Sequence, residues 1–521
     1  MTLSLPPGNF RGALHESYST QTQAGERLAM EAFRFEQWRE WCEAGFTLLP
    51  VASVHRGASL PANWATLTTG SASVLLESAQ GGRYTFFCDR PDRIIMGDAH
   101  AADVWSGDAV TKIERQVGGP FEVLSSFLSS VHAPSLHGWP AMTGGLMGIF
   151  GYDLVRLWER LPCRADRDIS LPLYALLRTR ELFIYDHQES TLGIVAWREV
   201  PMKRQVLEAT FRDGEHAVAD AWLRWQAVTP STAPRRRATA QTRSTEKIRQ
   251  SLSGEQFQSA ARVALNYIAA GDTYQVNLSL RTSRETSVSP VEIYDSLRQV
   301  NPSPYMGLLR LPGFSLVCGS PELLVRLVDG IVSSRPIAGT RPRGAIVEQD
   351  TRLAAELITN EKERAEHLML VDLIRNDIGR VAAFGSVVVS EYMAVEQYSH
   401  VMHIVSQVEG RLASGQTWRE VLKSMFPGGT ITGCPKIRTM EIIEELEPVG
   451  RGFYTGALGW ISYAGEMEMN IVIRSMLVKD DVAHVQAGAG IVADSIPERE
   501  LDEALRKAEA LWVALDRATI S

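Results

Sequence analysis

The chain is expected to be an α+β protein, with antiparallel sheets and helices packed outside them. Three observations lead there. β-Type runs follow one another without intervening helices, as at 306–311, 314–318 and 323–328, which favours hairpin pairing over parallel crossover units. Helical periodicity is confined to separate stretches such as 204–225, 256–270 and 291–300. The boundaries between these runs carry turn and cap chemistry, for example Gly271 after the 256–270 pattern.

Residues 1–228 mix short β-type runs (73–76, 84–88, 182–185, 192–196) with the 204–225 helix. Residues 229–254, TPSTAPRRRATAQTRSTEKIRQSLSG, are rich in Pro, Ser, Thr and Arg and lack apolar periodicity, so they are expected to be a linker. The pattern is denser over 255–521. Beyond the elements named above, strands are expected at 274–280, 386–392, 401–409, 456–463, 469–479 and 483–489. No internal repeat is present.

At 521 residues the chain can bury a large core, and 45% hydrophobic with 22% charged residues is ordinary for a soluble protein. A net charge of −8 gives no reason to expect nucleic acid or an anionic membrane as partner. The five cysteines (42, 88, 163, 318, 434) are scattered with no CxxC pair, which fits free thiols in a reducing cytoplasm. The opening MTLSLPPGNF lacks a basic region followed by an apolar stretch, and no apolar run reaches membrane-spanning length. A cytoplasmic protein is expected.

Asn360-Glu361-Lys362-Glu363-Arg364-Ala365-Glu366 opens a helix whose 368–374 run is apolar on nearly every side, as in a buried helix. Glu363 and Glu366 lie three apart on one face, and unpaired buried carboxylates are costly. A second helix is expected to start at Ser495, with Glu498 as its capping-box partner and Pro497 in the first turn. Its core stripe is Leu501, Ala504, Leu505, Ala508, Leu511, Trp512 and Leu515, and Glu500, Glu503 and Lys507 share the neighbouring stripe. Two Glu-x-x-Glu pairs could hold a hard divalent cation, Mg²⁺ rather than zinc because no Cys/His set exists. Such pairs also occur on solvated faces, and the residues alone leave both open.

Two glycine-rich segments mislead. Gly488-Ala489-Gly490-Ile491-Val492-Ala493 matches a dinucleotide fingerprint, but only one helix follows it and no βαβ unit does. Gly428 to Lys436 looks like a phosphate loop but lacks the G-K-[ST] ending.

Taken together, AGDTYQVNLS (270–279), NPSPYM (301–306), GSPELL (319–324), RPIAGTRPRG (335–344), NEKERAEHLMLVDLIRND (360–377), YSHVMHIVS (398–406), FPGGTITGCPK (426–436) and AGAGIVADSIPERE (487–500) resemble the chorismate-utilising enzymes. The resemblance is strong over about 255–517 and weak before it. It implies two packed antiparallel sheets flanked by helices, with Mg²⁺ as cofactor. Glu366 and Glu503 would be the main metal ligands, with Glu363 and Glu500 in the outer shell. Glu322 would be the general acid that protonates the departing 4-hydroxyl, and such a group needs a raised pKa. His403 would stand beside the reacting ring, although alternation alone makes it an ordinary strand residue.

Arg474 and Tyr454 would grip the enolpyruvyl carboxylate, and the small residues Gly488, Ala489 and Gly490 would let backbone N–H groups approach the same anion. Thr340 and Thr430 would line the pocket, and Lys507 would balance the carboxylates. Leu76, Glu77 and Ser78 with Pro304, Tyr305 and Met306 resemble the family's tryptophan pocket.

Members that use water carry a Lys base where this chain has Gln275. An amide cannot deprotonate water, so the resemblance implies ammonia as nucleophile. Ala338 stands where many C4-aminating members carry a Lys, which points to the anthranilate synthase branch. LLESAQGGRY (75–84), YTGALGWISY (454–463) and EMNIVIRS (468–475) resemble the aminodeoxychorismate synthase branch, and on balance component I of that branch is expected. No cysteine lies in a G-x-C-x-G turn, so ammonia is expected from a separate glutamine amidotransferase subunit. A non-catalytic relative should lack one of Glu322, Glu366, Arg474 and Glu503, and all are present.

Overall fold

The computed structural model describes residues 30–520, apart from 62–63, 65–66, 69, 80, 109–110, 228–247, 345 and 398–400 and the side chains of 340, 401 and 520. Most of the expected linker therefore lies outside the described residues. Chain order begins with α1 (Phe35–Glu43), β1 (Leu48–Arg56), β2 (Ser73–Glu77), β3 (Tyr84–Cys88), β4 (Arg93–Gly97), β5 (Ala101–Ser106) and β6 (Lys112–Val117). Next come α2 (Pro120–Ser129), β7 (Gly145–Phe150), β8 (Tyr174–Thr179), β9 (Glu181–Asp186), β10 (Thr191–Glu199) and α3 (Leu207–Gln226). Then follow β11 (Arg249–Gln250), α4 (Gly254–Ala269), β12 (Gln275–Glu285), α5 (Pro290–Val300), β13 (Tyr305–Leu311), β14 (Phe314–Ser320), β15 (Leu323–Val328), β16 (Ile331–Ser334) and β17 (Ile337–Pro342). After these lie α6 (Val347–Thr359), α7 (Glu361–Gly379), β18 (Val388–Gln397), β19 (Val401–Arg411), α8 (Trp418–Met425), β20 (Gly433–Cys434) and α9 (Lys436–Leu446). The chain closes with β21 (Ala457–Ser462), β22 (Met467–Ile471), β23 (Ser475–Lys479), β24 (Val482–Ile491) and α10 (Pro497–Ile520).

The strands form two antiparallel sheets, as expected. The first runs β1-β10-β9-β3-β2-β13-β14-β23-β24-β12-β11, and the second β17-β19-β16-β15-β22-β21-β7-β8-β4-β5-β6. Between them lies an apolar core of Val74, Phe86, Leu309, Leu316 and Cys318 from one sheet against Ile94, Met147, Ile149 and Leu177 from the other. Helices α3, α5 and α10 cover the outer face of the first sheet, and α2, α7 and α8 that of the second. Each sheet is made of two contiguous halves, one from 1–228 and one from the later chain, joined at a single strand pair: β2 with β13, and β7 with β21. The last residues before α4 are in the sheet, as Arg249 and Gln250 pair with Ser283 and Thr282.

Three local expectations change. The 469–479 run is not one strand. It splits into β22 and β23, which belong to different sheets, because Arg474 takes a left-handed φ of 50° and turns the chain. Helix α7 is not buried all round, since Leu368 is 53% exposed while His367, Leu370, Val371 and Ile374 face the core. Its start is as expected, with the Asn360 side chain accepting from the Glu363 N–H. Ser495 does not form a capping box with Glu498. Its hydroxyl accepts from the Val492 N–H, and Glu498 pairs instead with Arg262. No helix among the described residues is long and apolar enough to cross a membrane, and all five cysteines are free thiols.

Candidate active site

The chain passes between the sheets twice at one place, from β14 to β15 and from β22 to β23. Glu322 lies in the first crossing and Arg474 in the second. The crossings are bonded to each other: the Gly319 N–H donates to the Arg474 carbonyl at 2.9 Å, and the Ile471 N–H to the Glu322 carbonyl at 3.0 Å. The Ser320 hydroxyl adds a bond to the Ile471 carbonyl at 2.6 Å. Backbone hydrogen bonds therefore fix the spacing between the acid and the arginine.

Glu322 is 7% exposed. Loss of solvent pushes its carboxyl up to about 7, against the opposing pull of the Thr430 hydroxyl and Lys507. A carboxyl near 7 can donate a proton at neutral pH. Thr430 sits in the short 3-10 turn Gly429–Ile431. Arg474 has no hydrogen-bonded or ion-paired partner for its guanidinium among the described residues. Burial lowers its pKa, while the nearby Glu503 and Tyr454 act in the opposite direction. A desolvated arginine without a carboxylate is a site for an anion. Tyr454 is buried beside it, with its phenol held neutral by the same desolvation.

The acidic helices meet beside this centre. Desolvation raises the Glu366 carboxyl, and Glu363 and Glu503 raise it further. Glu500 is raised by burial and by Glu503, while the Ser495 hydroxyl pulls it down. Glu366 on α7 and Glu503 on α10 thus lie close enough to interact across the two helices. Glu503 is neutralised by Lys507 at 2.7 Å, and Glu363 by Arg341 at 3.1 Å. The Gln275 amide, at the start of β12, donates to Glu366 at 3.4 Å, and its carbonyl oxygen is buried without a partner. An all-oxygen donor set suits a hard divalent ion. Among the described residues no three acidic or His side chains stand close enough to enclose one. An ion bound at Glu503 would compete with Lys507 for that carboxylate.

His403 on β19 donates from Nδ1 to the Gly339 carbonyl at 2.9 Å, and burial lowers its pKa, so the ring is neutral. Thr340 lies on β17 beside that carbonyl, with its side chain outside the described residues. Gly490, Ala489 and Gly488 pair with Asn277, Leu278 and Ser279 of β12. A Cβ at Gly488 would come within 2.5 Å of the Leu278 carbonyl, so β12 itself demands glycine there. Lys507 also donates to the Gly488 carbonyl at 3.0 Å.

Leu76–Ser78 and Pro304–Met306 come together as expected, with Glu77 opposite Met306 on β2 and β13. Glu77 is buried, accepting from the Tyr294 hydroxyl at 2.7 Å and from Arg298 at 2.5 Å. The Ser78 hydroxyl accepts from the Gly82 N–H, and the Asn470 amide donates to the Tyr305 carbonyl. The sequence reading did not single out Arg451 and Glu447, which lie buried under the pocket. Their i, i+4 spacing resembles that of an ordinary surface ion pair, though Pro448 and Gly450 between them argue against a helix there.

A two-sheet α+β sandwich with a protonatable acid, an arginine open to an anion and two acidic helix starts at its seam has the make-up of an enzyme site for an anionic substrate. Residues 72–512 match the chorismate binding enzyme family, and the chain belongs to that family. It is 42% identical over 449 residues to aminodeoxychorismate synthase component 1 of Bacillus subtilis, covering 85% of this chain and 91% of the relative. It is 45% identical over 450 residues to anthranilate synthase component 1 of Thermus thermophilus, covering 86% and 92%. Among solved structures it resembles anthranilate synthase component I from Streptococcus pneumoniae, with a TM-score of 0.69 and 32% identity, covering 83% of this chain and 92% of that one.

Proposed function

We propose that the chain is the component I of an aminodeoxychorismate synthase, replacing the 4-hydroxyl of chorismate with ammonia to give 4-amino-4-deoxychorismate for 4-aminobenzoate and folate synthesis. The observation that carries this reading is the pairing of a buried, protonatable Glu322 with an unpaired Arg474 on two hydrogen-bonded crossings. Arg474 and Tyr454 hold the enolpyruvyl carboxylate. Glu322 gives its proton to the C4 oxygen, which leaves as water while ammonia forms the new C–N bond: one ammonia enters, one water departs. Gln275 cannot serve as a base for water, so water does not compete as nucleophile. His403, neutral, stands at the ring.

Glu366 and Glu503, with Glu363 and Glu500 behind them, would hold Mg²⁺, which when bound supplies a positive anchor for the ring carboxylate. Lys507 keeps Glu503 neutralised until then. The similar proteins are named as first components, which supports a second subunit; that subunit would be a glutamine amidotransferase supplying the ammonia, and the pair would work in the cytoplasm. The Leu76–Ser78 and Pro304–Met306 strands would bind tryptophan; calorimetry on titrating tryptophan should show heat, and a flat titration removes that assignment.

One observation favours a second reading. Ala338, buried and opposite Ile404, offers no amine to attack C2, and this is the residue expected of an anthranilate synthase component I. Incubation with chorismate, Mg²⁺ and an ammonium salt separates the two. Release of 4-aminobenzoate only after a separate lyase is added supports the first reading. Fluorescent anthranilate without the lyase refutes it.

A further inference from the structure

Arg451 is buried, and all of its guanidinium groups are engaged. Nε and Nη2 donate to the two Glu447 oxygens at 3.0 and 2.8 Å. Nη1 donates to the Ile431 carbonyl at 2.9 Å and to the Thr455 hydroxyl at 3.3 Å, and Nη2 to the Asn277 carbonyl at 2.7 Å. The cation lies over the Tyr454 ring at 5.6 Å and the Tyr152 ring at 5.1 Å. Glu447 in turn accepts from the Ser279 N–H and hydroxyl, both at 2.8 Å, and that hydroxyl accepts from Gln486 at 2.9 Å.

Each partner adjoins a residue of the pocket. Ile431 follows Thr430. Asn277 and Ser279 pair with Gly490 and Gly488. Thr455 follows Tyr454 and holds a left-handed φ of 60°, a conformation a β-branched residue keeps only when its surroundings impose it. The pair is mutually neutralised, so it adds little field of its own, and Arg474 is left as the cation open to a ligand.

From this geometry we infer that Arg451, clamped by Glu447, is the positioning residue for the carboxylate-binding end of the pocket. It fixes the Tyr454 ring, the Thr430 turn and the Gly488–Gly490 strand relative to one another without touching the substrate. A planar five-donor fork can join these segments, whereas a lysine ammonium has three donors and no plane. The inference rests on the proposed chorismate site.

The test is steady-state kinetics with chorismate and ammonium for Arg451→Lys, alongside Mg²⁺ calorimetry and thermal unfolding. A loosened binding end should raise KM for chorismate roughly tenfold or more while kcat stays within about threefold and Mg²⁺ affinity is unchanged. Arg284→Lys is the comparator: Arg284 is buried and paired with Asp516 at 2.7 Å, far along β12 from the pocket. At a similar loss of stability it should leave KM unchanged. An Arg451→Lys variant with wild-type KM, or one that matches Arg284→Lys in every readout, overturns the inference. Should Arg451→Lys fail to fold, Glu447→Gln keeps the volume and must raise KM in the same direction; an unchanged KM overturns the inference equally. Wild-type protein that binds no chorismate would overturn the underlying reading instead, and shows this before any variant is made.

Discussion

Replacing Glu322 with Gln tests the acid through two independent readouts with opposite signs. Burial raises the Glu322 carboxyl from 4.5 to about 7. The folded protein therefore binds this proton more tightly than the unfolded chain, and stability is lost as pH rises through the interval from 4.5 to 7. Converted at 1.36 kcal/mol per pH unit, the ionised carboxylate costs the fold about 3 kcal/mol at pH 8.5 and almost nothing at pH 4. Gln keeps the shape and can still meet the Thr430 hydroxyl, but carries no charge. Glu322→Gln should thus be more stable than wild type at pH 8.5 by up to about 3 kcal/mol in denaturant unfolding, with the gain shrinking toward pH 4. Turnover should fall roughly 10²- to 10⁴-fold, since general-acid assistance is removed, while chorismate binding in the presence of Mg²⁺ persists. At a fixed concentration of free ammonia, wild-type kcat/KM for chorismate should decline tenfold per pH unit above about 7, and the variant's residual rate should not. A variant that turns over normally, or one no more stable than wild type at pH 8.5, refutes the assignment of Glu322 as a buried acid.

Other outcomes follow from the same geometry. Arg474→Lys should raise KM for chorismate roughly tenfold or more by losing the bidentate fork, and an unchanged KM would remove the carboxylate role. Glu366→Gln should weaken Mg²⁺ binding roughly tenfold or more in calorimetry, and undiminished affinity would place the ion elsewhere. Gly488→Ala puts a methyl 2.5 Å from the Leu278 carbonyl and should cost about 1–3 kcal/mol in urea unfolding; a neutral result would show that β12 yields there.

Much of the site was legible because its chemistry is local. The Asn360 cap, the Glu363 and Glu366 spacing and the Ala504–Ala508–Leu511–Leu515 stripe follow helix geometry, and the structure places each accordingly. What sequence reading missed is non-local. Nothing in the uniformly β-like 469–479 stretch announces that Arg474 turns the chain from one sheet to the other. Leu368 looks like core, but whether a helix is covered on all sides depends on which neighbours the fold supplies. The pairing of β2 with β13 and of β7 with β21 joins residues hundreds of positions apart, beyond the reach of periodicity. Arg451 and Glu447 look like a surface pair until the strands that enclose them are known.

The two crossings have a mechanical corollary. Glu322 and Arg474 are stitched to the same seam, whereas α7 rides on one sheet and α10 on the other. A sideways slip between the two layers would leave the proton donor and the anion grip in register, yet would open or close the gap between Glu366 and Glu503.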